Sequence, residues 1–288
     1  MIQSGLVIFA IIILTIVLFG VYEYHIHKTI PIPRKIWTFQ EDGVTYPKTS
    51  NLCIQSWKKH HPSYEIIILT RKTAKGYVRI PEEILSHPSF QGEHFWELVC
   101  LYALTEQGGI WMDPSIIIKK RMEDWLFPRK GEFSGFYHAR LTPKDGIPIM
   151  EPSFLSSQRG SQFLTQWRDE FVSVAQYPTI EKYVESRKKM GVDLTPFHDP
   201  IQQVMQVAAQ KVLQYDNYDR DSILLQSVEE GPLRYLTDTK GDVEKGLQLA
   251  CMVPRYQFPI LMLQREGQKI MEQEVDDLLS MNRCKWLD

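Results

Sequence analysis

Several signatures that would fix a functional class at once are missing from this 288-residue chain. No C-x-x-C pair occurs. The four cysteines, Cys53, Cys100, Cys251 and Cys284, are scattered, which argues against a zinc ribbon, a dithiol redox site or a disulfide scaffold; free, mostly buried thiols are expected. Neither a Walker A loop nor a G-x-G-x-x-G string is present, so P-loop kinase and dinucleotide-binding readings lack support. No G-x-S-x-G elbow is present for a serine hydrolase. Basic excess is also absent: 33 Lys and Arg stand against 35 Asp and Glu, a net charge of −2, which argues against a nucleic-acid partner. Internal repeats and low-complexity tracts are lacking as well. The remaining composition, 43% apolar and 24% charged, is that of an ordinary globular protein.

One absence is local. From Ile2 to Tyr22 there is no charged residue, and most positions are Ile, Leu, Val or Phe. About 20 apolar residues span a bilayer as a helix. A cleaved signal peptide would need a basic start and a small-residue cleavage site, and a buried core helix would need a polar face. The segment shows none of these, so an uncleaved single-pass anchor over residues 1–27 is expected. Tyr22 and Tyr24 suit the membrane interface. Lys28, Arg34 and Lys35 follow the span and favour a cytoplasmic body by the positive-inside rule; the side of the membrane stays open.

After the proline-rich linker Ile30-Pro31-Ile32-Pro33, the pattern reads strand (Lys35 to Phe39), helix (Ser50 to His60, stopped by Pro62), strand (Tyr64 to Leu69). This is the opening of a βαβ unit with a parallel sheet. A short helix is expected at Pro81 to Leu85. A strong helix is expected from Glu93 to Gln107, where Phe95, Leu98, Val99, Tyr102 and Leu104 recur near a 3.6 period. Gly108-Gly109 ends it. Ile110-Trp111-Met112 then reads as a short buried strand, continued after Pro114 by Ile116 to Ile118. Phe133 to Tyr137 and Ser153 to Leu155 read as further strands. Helices are expected at Ser161 to Gln176, from Pro200 to about Leu213, and at Gly267 to Asn282. Arg187-Lys188-Lys189 reads as a solvated basic cluster.

Asp113 is the residue on which function turns. An acid just past a buried α/β strand sits where such sheets bind ligands, outside the carboxyl ends of their strands. It can help hold Mg²⁺ or Mn²⁺ on a diphosphate, since these ions take oxygen ligands and often only one or two carboxylates. The alternative is an acid that caps the turn. Trp37, Thr38 and Gln40, at the end of the first strand, are placed to meet a nucleotide base, with a core position equally open to Trp37. Asp199, after His198, could cap the following helix, with Pro200 at its first position. Glu151 could face an acceptor or lie on the surface.

Several stretches together resemble the glycosyltransferases with a DXD-type sugar-binding region, the group holding capsular polysaccharide synthesis proteins and fungal-type initiating mannosyltransferases. Ile32-Pro33-Arg34-Lys35-Ile36-Trp37 resembles the family's IPKxIW strand. Ser56-Trp57-Lys58-Lys59-His60-His61-Pro62 resembles its SWxxxxP helix. Phe95 to Cys100 stands where its SDxxR helix lies. Gly108-Gly109-Ile110-Trp111-Met112-Asp113 matches GGIWxD in full, and Glu151 to Leu155 resembles its xNxFI segment.

The resemblance implies a GT-A-like α/β fold. Its nucleotide-sugar half would span about 28–130 and its acceptor half about 131–288. It also implies hexosyl-type transfer from a nucleotide-diphosphate sugar to a glycan acceptor, aided by Mn²⁺ or Mg²⁺. The residues carried over are Asp113 and Glu97 as catalytic, with Trp37, Thr38, Gln40, Gly109, Asp113 and Ser115 around the nucleotide. Asp113, His198 and Asp199 would serve the metal. The chain departs from the pattern at Ser115 (second acid), Glu97 (Asp), Cys100 (Arg) and Trp96 (a small residue). Those departures keep a second reading open, a catalytically silent relative serving as a binding or scaffold subunit of a glycan-assembly complex.

Overall fold

The computed structural model describes residues 32–126, 131–143, 146–216, 218–252 and 259–280. The expected anchor lies outside the described residues. Among the described residues, no helix is long and apolar enough to cross a membrane. The described residues from Ile32 onward form one compact unit.

Its centre is a six-stranded mixed sheet. The strands are β1 (Lys35–Phe39), β2 (Glu65–Leu69), β3 (Gly109–Met112), β5 (Phe133–Tyr137), β6 (Met150–Ser157) and β7 (Ile223–Ser227), in the order β2-β1-β3-β6-β5-β7. β1 runs parallel to β2 and to β3, β6 runs antiparallel to β3 and to β5, and β7 runs parallel to β5. The carboxyl ends of β1, β2, β3, β5 and β7 therefore share one edge of the sheet. A second sheet pairs β4 (Ile116–Ile118) antiparallel with β8 (Ile260–Met262). The expected nucleotide and acceptor halves are continuous, because β3 from the first pairs with β6 from the second.

Period-two alternation sends neighbouring side chains into two cores. Trp37, Trp111 and Leu155 enter one, packed with helices α4 (His94–Gln107), α5 (Gln162–Val172), α6 (Ile180–Met190) and α7 (Val204–Tyr215). Ile36, Ile110, Met112 and Phe154 enter the other, with α1 (Lys48–His60), β4 and β8. α4 is buried almost all round, from Leu98 to Thr105 without a break. A helix apolar on every side must be enclosed, and α4 lies between the sheet and α5.

Borrowed acids finish two helix starts. α1 has Pro47 at its N-cap and no acid in its first turn. Glu272, on α10 (Arg265–Ser280), accepts from the Lys48 N–H at 2.9 Å and the Thr49 N–H at 2.8 Å. Glu132 likewise accepts from the Gln162 and Phe163 N–H groups of α5, at 3.0 and 2.8 Å. A carboxylate at a helix N-terminus satisfies donors that have no partner inside the helix.

Three expectations are corrected. β6 is longer than the strand read at Ser153 to Leu155, and a register shift against β5 interrupts it. The helix read from Pro200 begins at Val204, after turns. Arg187 is not solvated: it is buried and ion-paired to Glu170, while Lys188 and Lys189 are exposed.

Candidate active site

The chain turns out of the main sheet at Asp113-Pro114-Ser115 and enters the second sheet at β4. Ile116 closes that corner by donating its N–H to the Asp113 carbonyl at 3.0 Å. Both neighbours of the corner are fixed. Upstream, Gly109 holds φ +107°, and a Cβ there would lie 2.8 Å from the Lys35 carbonyl oxygen; only glycine lets β3 start against β1 in this conformation. Downstream, α1 holds β4 through two side chains. Trp57 Nε1 donates to the Ile116 carbonyl at 2.7 Å, and Ser56 Oγ accepts from the Ile118 N–H at 3.0 Å.

Asp113 is partly buried at the carboxyl end of β3. Its Oδ1 accepts from the Ser115 N–H at 2.8 Å. Burial pushes its carboxyl above the usual aspartate range, Ser115 opposes this, and the charge of Glu151 adds to it.

Glu151 is the acid opposite. It is buried, on β6, beside an irregularity: Gly135 pairs with Leu155, but Phe136 pairs with Glu151. The extra residues Pro152, Ser153 and Phe154 form a bulge against β5, and bulges re-aim side chains beside sites. The bulge also flips the alternation, so that Met150 and Leu155, five apart, enter the same core. At the bulge, the Ser153 carbonyl accepts from the Asp113 N–H and the Ser153 N–H donates to Glu151 Oε1, both at 2.8 Å. Glu151 Oε2 meets His138 Nε2 at 2.7 Å. Burial would raise the Glu151 carboxyl, but the bonds from His138 and Ser153 prevail and hold it below its ordinary value. Burial would lower the His138 imidazole, but Glu151 prevails and raises it. Each partner thus favours the charged form of the other.

On the β1 side, Tyr46 donates to the Phe39 carbonyl at 2.9 Å. Burial raises its phenol to about 12, opposed by the Thr38 hydroxyl and reinforced by Asp113. Thr38 is fully buried, and its hydroxyl closes no hydrogen bond among the described residues. Gln40 is partly exposed, with its N–H on the Leu69 carbonyl (2.9 Å) and its side chain on the Val44 carbonyl.

The other expected residues fall as follows. Trp37 is corrected to a core residue: it is fully buried, and its indole N–H donates to the Gly108 carbonyl at 2.9 Å, so no face is left for a base. Gly109 acts through backbone geometry. Ser115 is buried and serves Asp113 as a hydrogen-bond donor in place of a second acid. Glu97 is buried and paired with His94 at 2.8 Å; burial raises it and His94 opposes. Its neighbour Trp96 stacks on Trp111, ring centres 6.0 Å apart, so the first turn of α4 lies over β3.

His198 is exposed, and Asp199 Oδ1 accepts from the Ile201 and Gln202 N–H groups at 3.1 and 3.2 Å. Asp199 thus closes the turn that precedes the helix, whose own N-cap is Gln203, rather than capping the helix, and the two residues form no metal-holding group with Asp113. Among the described residues, no group of three or more His, Cys, Asp or Glu side chains could hold a metal.

Residues 20–190 match a family described as "Capsular polysaccharide synthesis protein", and this stretch is more than half of the chain. The chain belongs to the capsular polysaccharide synthesis protein family. The matched region of this family member contains β1 to β6, and with them Asp113, His138 and Glu151. No curated protein matches the sequence.

Solved structures similar to the chain include the galactosyltransferase LgtC in complex with donor and acceptor sugar analogues. That match has 11% identity over 86% of this chain and 95% of that one, at a TM-score of 0.44. The apo-form glycosyltransferase GlyE of Streptococcus pneumoniae TIGR4 matches at 13% identity, over 87% of this chain and 64% of that one, at 0.41. A glycosyltransferase involved in glycosylation of the major capsid of PBCV-1 matches at 8% identity, over 84% and 98%, also at 0.41.

Two residues of the edge escaped sequence reading, His138 and Tyr46. Neither lies in a motif, and each reaches the edge through tertiary structure. Glu151 was visible as a polar residue before an apolar strand, but the bulge that turns it toward Asp113 leaves no local signal.

Proposed function

We propose that this family member is a glycosyltransferase that moves a sugar from a nucleotide-diphosphate donor to a glycan acceptor in capsule-type polysaccharide or glycoconjugate synthesis. The single observation that carries the reading is the position of Asp113. It lies outside the carboxyl end of β3, where β1 and β2 also end in parallel, the place at which open α/β sheets bind nucleotides. Family membership and the adjoining Glu151 support it. Thr38, Tyr46 and Gln40 line the β1 side, where the nucleotide would enter. Glu151 and His138 line the β5 side, toward the acceptor. The uncharged Ile2 to Tyr22 segment supports attachment to a membrane by a single N-terminal span.

A divalent cation on the diphosphate needs free oxygen ligands. Here Asp113 uses Oδ1 for the Ser115 N–H and keeps Oδ2 to offer, while Glu151 engages both oxygens with His138 and Ser153. Asp113 is the carboxylate of this edge that would hold a cation, with phosphate oxygens and waters as its other ligands, and the ion would offset charge on the diphosphate. What the residues themselves supply is a fixed array of charge and hydrogen bonds along one edge, which positions reactants and stabilises developing charge.

The same engagement of Glu151 favours the second reading, a silent binding or scaffold subunit. The two readings separate in a screen of nucleotide-diphosphate sugars against the full chain, with and without Mn²⁺. Donor-dependent release of nucleoside diphosphate supports the transferase. No turnover with any donor, from folded protein, supports the scaffold.

A further inference from the structure

One cleft among the described residues lies away from Asp113. Its volume is about 810 Å³, and it opens at the opposite edge of the sheet, by the first residue of β1, the end of α4 and the turn after β6. Five cationic side chains line it, Lys35, Lys75, Arg79, Arg159 and Arg168, against the single acid Glu106. The chain as a whole carries a net charge of −2, so this is a local reversal of sign.

Two of the five are already paired, Lys75 with Glu82 and Arg168 with Asp169. Lys35 bonds to the neutral amide of Gln107 at 2.8 Å. The guanidinium groups of Arg79 and Arg159, both exposed, enter no ion pair among the described residues. Glu106 accepts the backbone N–H of Arg79 through both oxygens, each at 3.2 Å, and forms no ion pair with its guanidinium. One aromatic residue joins them: Tyr77 is 42% exposed and lines the same cleft, and its ring meets Trp37 edge-on at 5.9 Å.

We infer that this cleft binds an anionic saccharide, a glycan segment bearing carboxylate groups. Guanidinium forks match carboxylates with paired hydrogen bonds. An exposed tyrosine offers an apolar face to a sugar ring and a hydroxyl to its rim. The volume is that of a ligand of several rings, far more than one phosphate fills, and the cations stand apart around the walls. A flat lipid surface would meet only the rim of such a concavity. The site is separate from the sheet edge that holds Asp113 and does not depend on the function proposed there.

The test uses the full chain in non-ionic detergent, with binding read by titration calorimetry. The probes are a short oligogalacturonate, a neutral glucan of equal length, inorganic phosphate, and vesicles with an anionic headgroup. The oligogalacturonate binds, and its affinity falls about tenfold in the Arg79→Gln, Arg159→Gln double variant and with added salt. Asp113→Asn leaves this binding unchanged. The charge-keeping Arg79→Lys, Arg159→Lys variant retains more of the affinity than the Gln pair, which separates lost charge from lost fold. Equal affinity in the Gln variant and the wild type overturns the inference. So do equal binding of the neutral glucan, or binding of phosphate or vesicles without the oligogalacturonate.

Discussion

Asp113 and Glu151 are joined through the backbone of one residue, Ser153, which accepts from the N–H of the first and donates to the carboxylate of the second. This link ties the end of β3 to the bulge of β6. Two acids that fall 38 positions apart thereby occupy one edge, and the charge of Glu151 reaches Asp113.

The His138–Glu151 pair sets a window of stability. His138 is raised above its ordinary value, so its contribution is complete below about pH 6.5 and is lost as pH rises through the folded value. Glu151 is lowered, so its contribution is complete above about pH 4.5 and is lost as pH falls through the folded value. Thermal unfolding of His138→Gln against wild type should therefore show its largest deficit between these limits, of about 1–3 kcal/mol. The deficit should shrink toward alkaline pH. A deficit independent of pH would mean that the pair is not ionised.

Trp37→Phe removes one buried donor and little volume. The Gly108 carbonyl then loses its partner, at a cost of about 1–3 kcal/mol in urea unfolding. Donor affinity should stay within twofold or so of wild type. A large rise in donor KM with little loss of stability would return Trp37 to the nucleotide site.

Gly109→Ala meets the Lys35 carbonyl in a conformation that L-residues rarely adopt. A loss of about 2 kcal/mol or more is expected from strain and displaced β1–β3 pairing, read by denaturant unfolding. A neutral result would show that β3 can start elsewhere.

The Glu170–Arg187 pair on α5 and α6 is buried, with Tyr183 donating to Glu170 at 2.8 Å. Arg187→Met leaves the buried Glu170 carboxylate with Lys211, at 3.5 Å, as its remaining cation and should cost about 3 kcal/mol, whereas Arg187→Met with Glu170→Leu should cost clearly less. Unfolding of the single and double variants measures the difference. Equal losses would mean that the pair is not coupled.

Most of the first half of the fold was legible in sequence, because its signals are local. β1, α1, β2, α4 and β3 all follow from apolar runs, helical periodicity and the Gly-Gly stop. Several motif residues then proved to be scaffolding: Trp37 bonds to Gly108, Ser56 and Trp57 hold β4, and His61 accepts from the Met122 N–H at 3.2 Å. The strand Ile223–Ser227 was missed, since its residues are half-buried at the sheet edge and carry no clean alternation. Arg187 sat in a basic run whose one buried member is chosen by the position of Glu170. Asp113 was placed by local pattern, while its partners came from elsewhere, with Glu151 turned by a bulge and His138 brought in by pairing.

Asp113 is proposed to serve a nucleotide-sugar site. The most direct measurement is donor turnover, with nucleoside diphosphate release followed for wild type and Asp113→Asn at matched folding, on the donor that gives the highest rate. Wild type should turn the donor over, and the variant should lose about a hundredfold or more in kcat/KM, with its unfolding midpoint little changed. Undiminished turnover by Asp113→Asn would contradict that role.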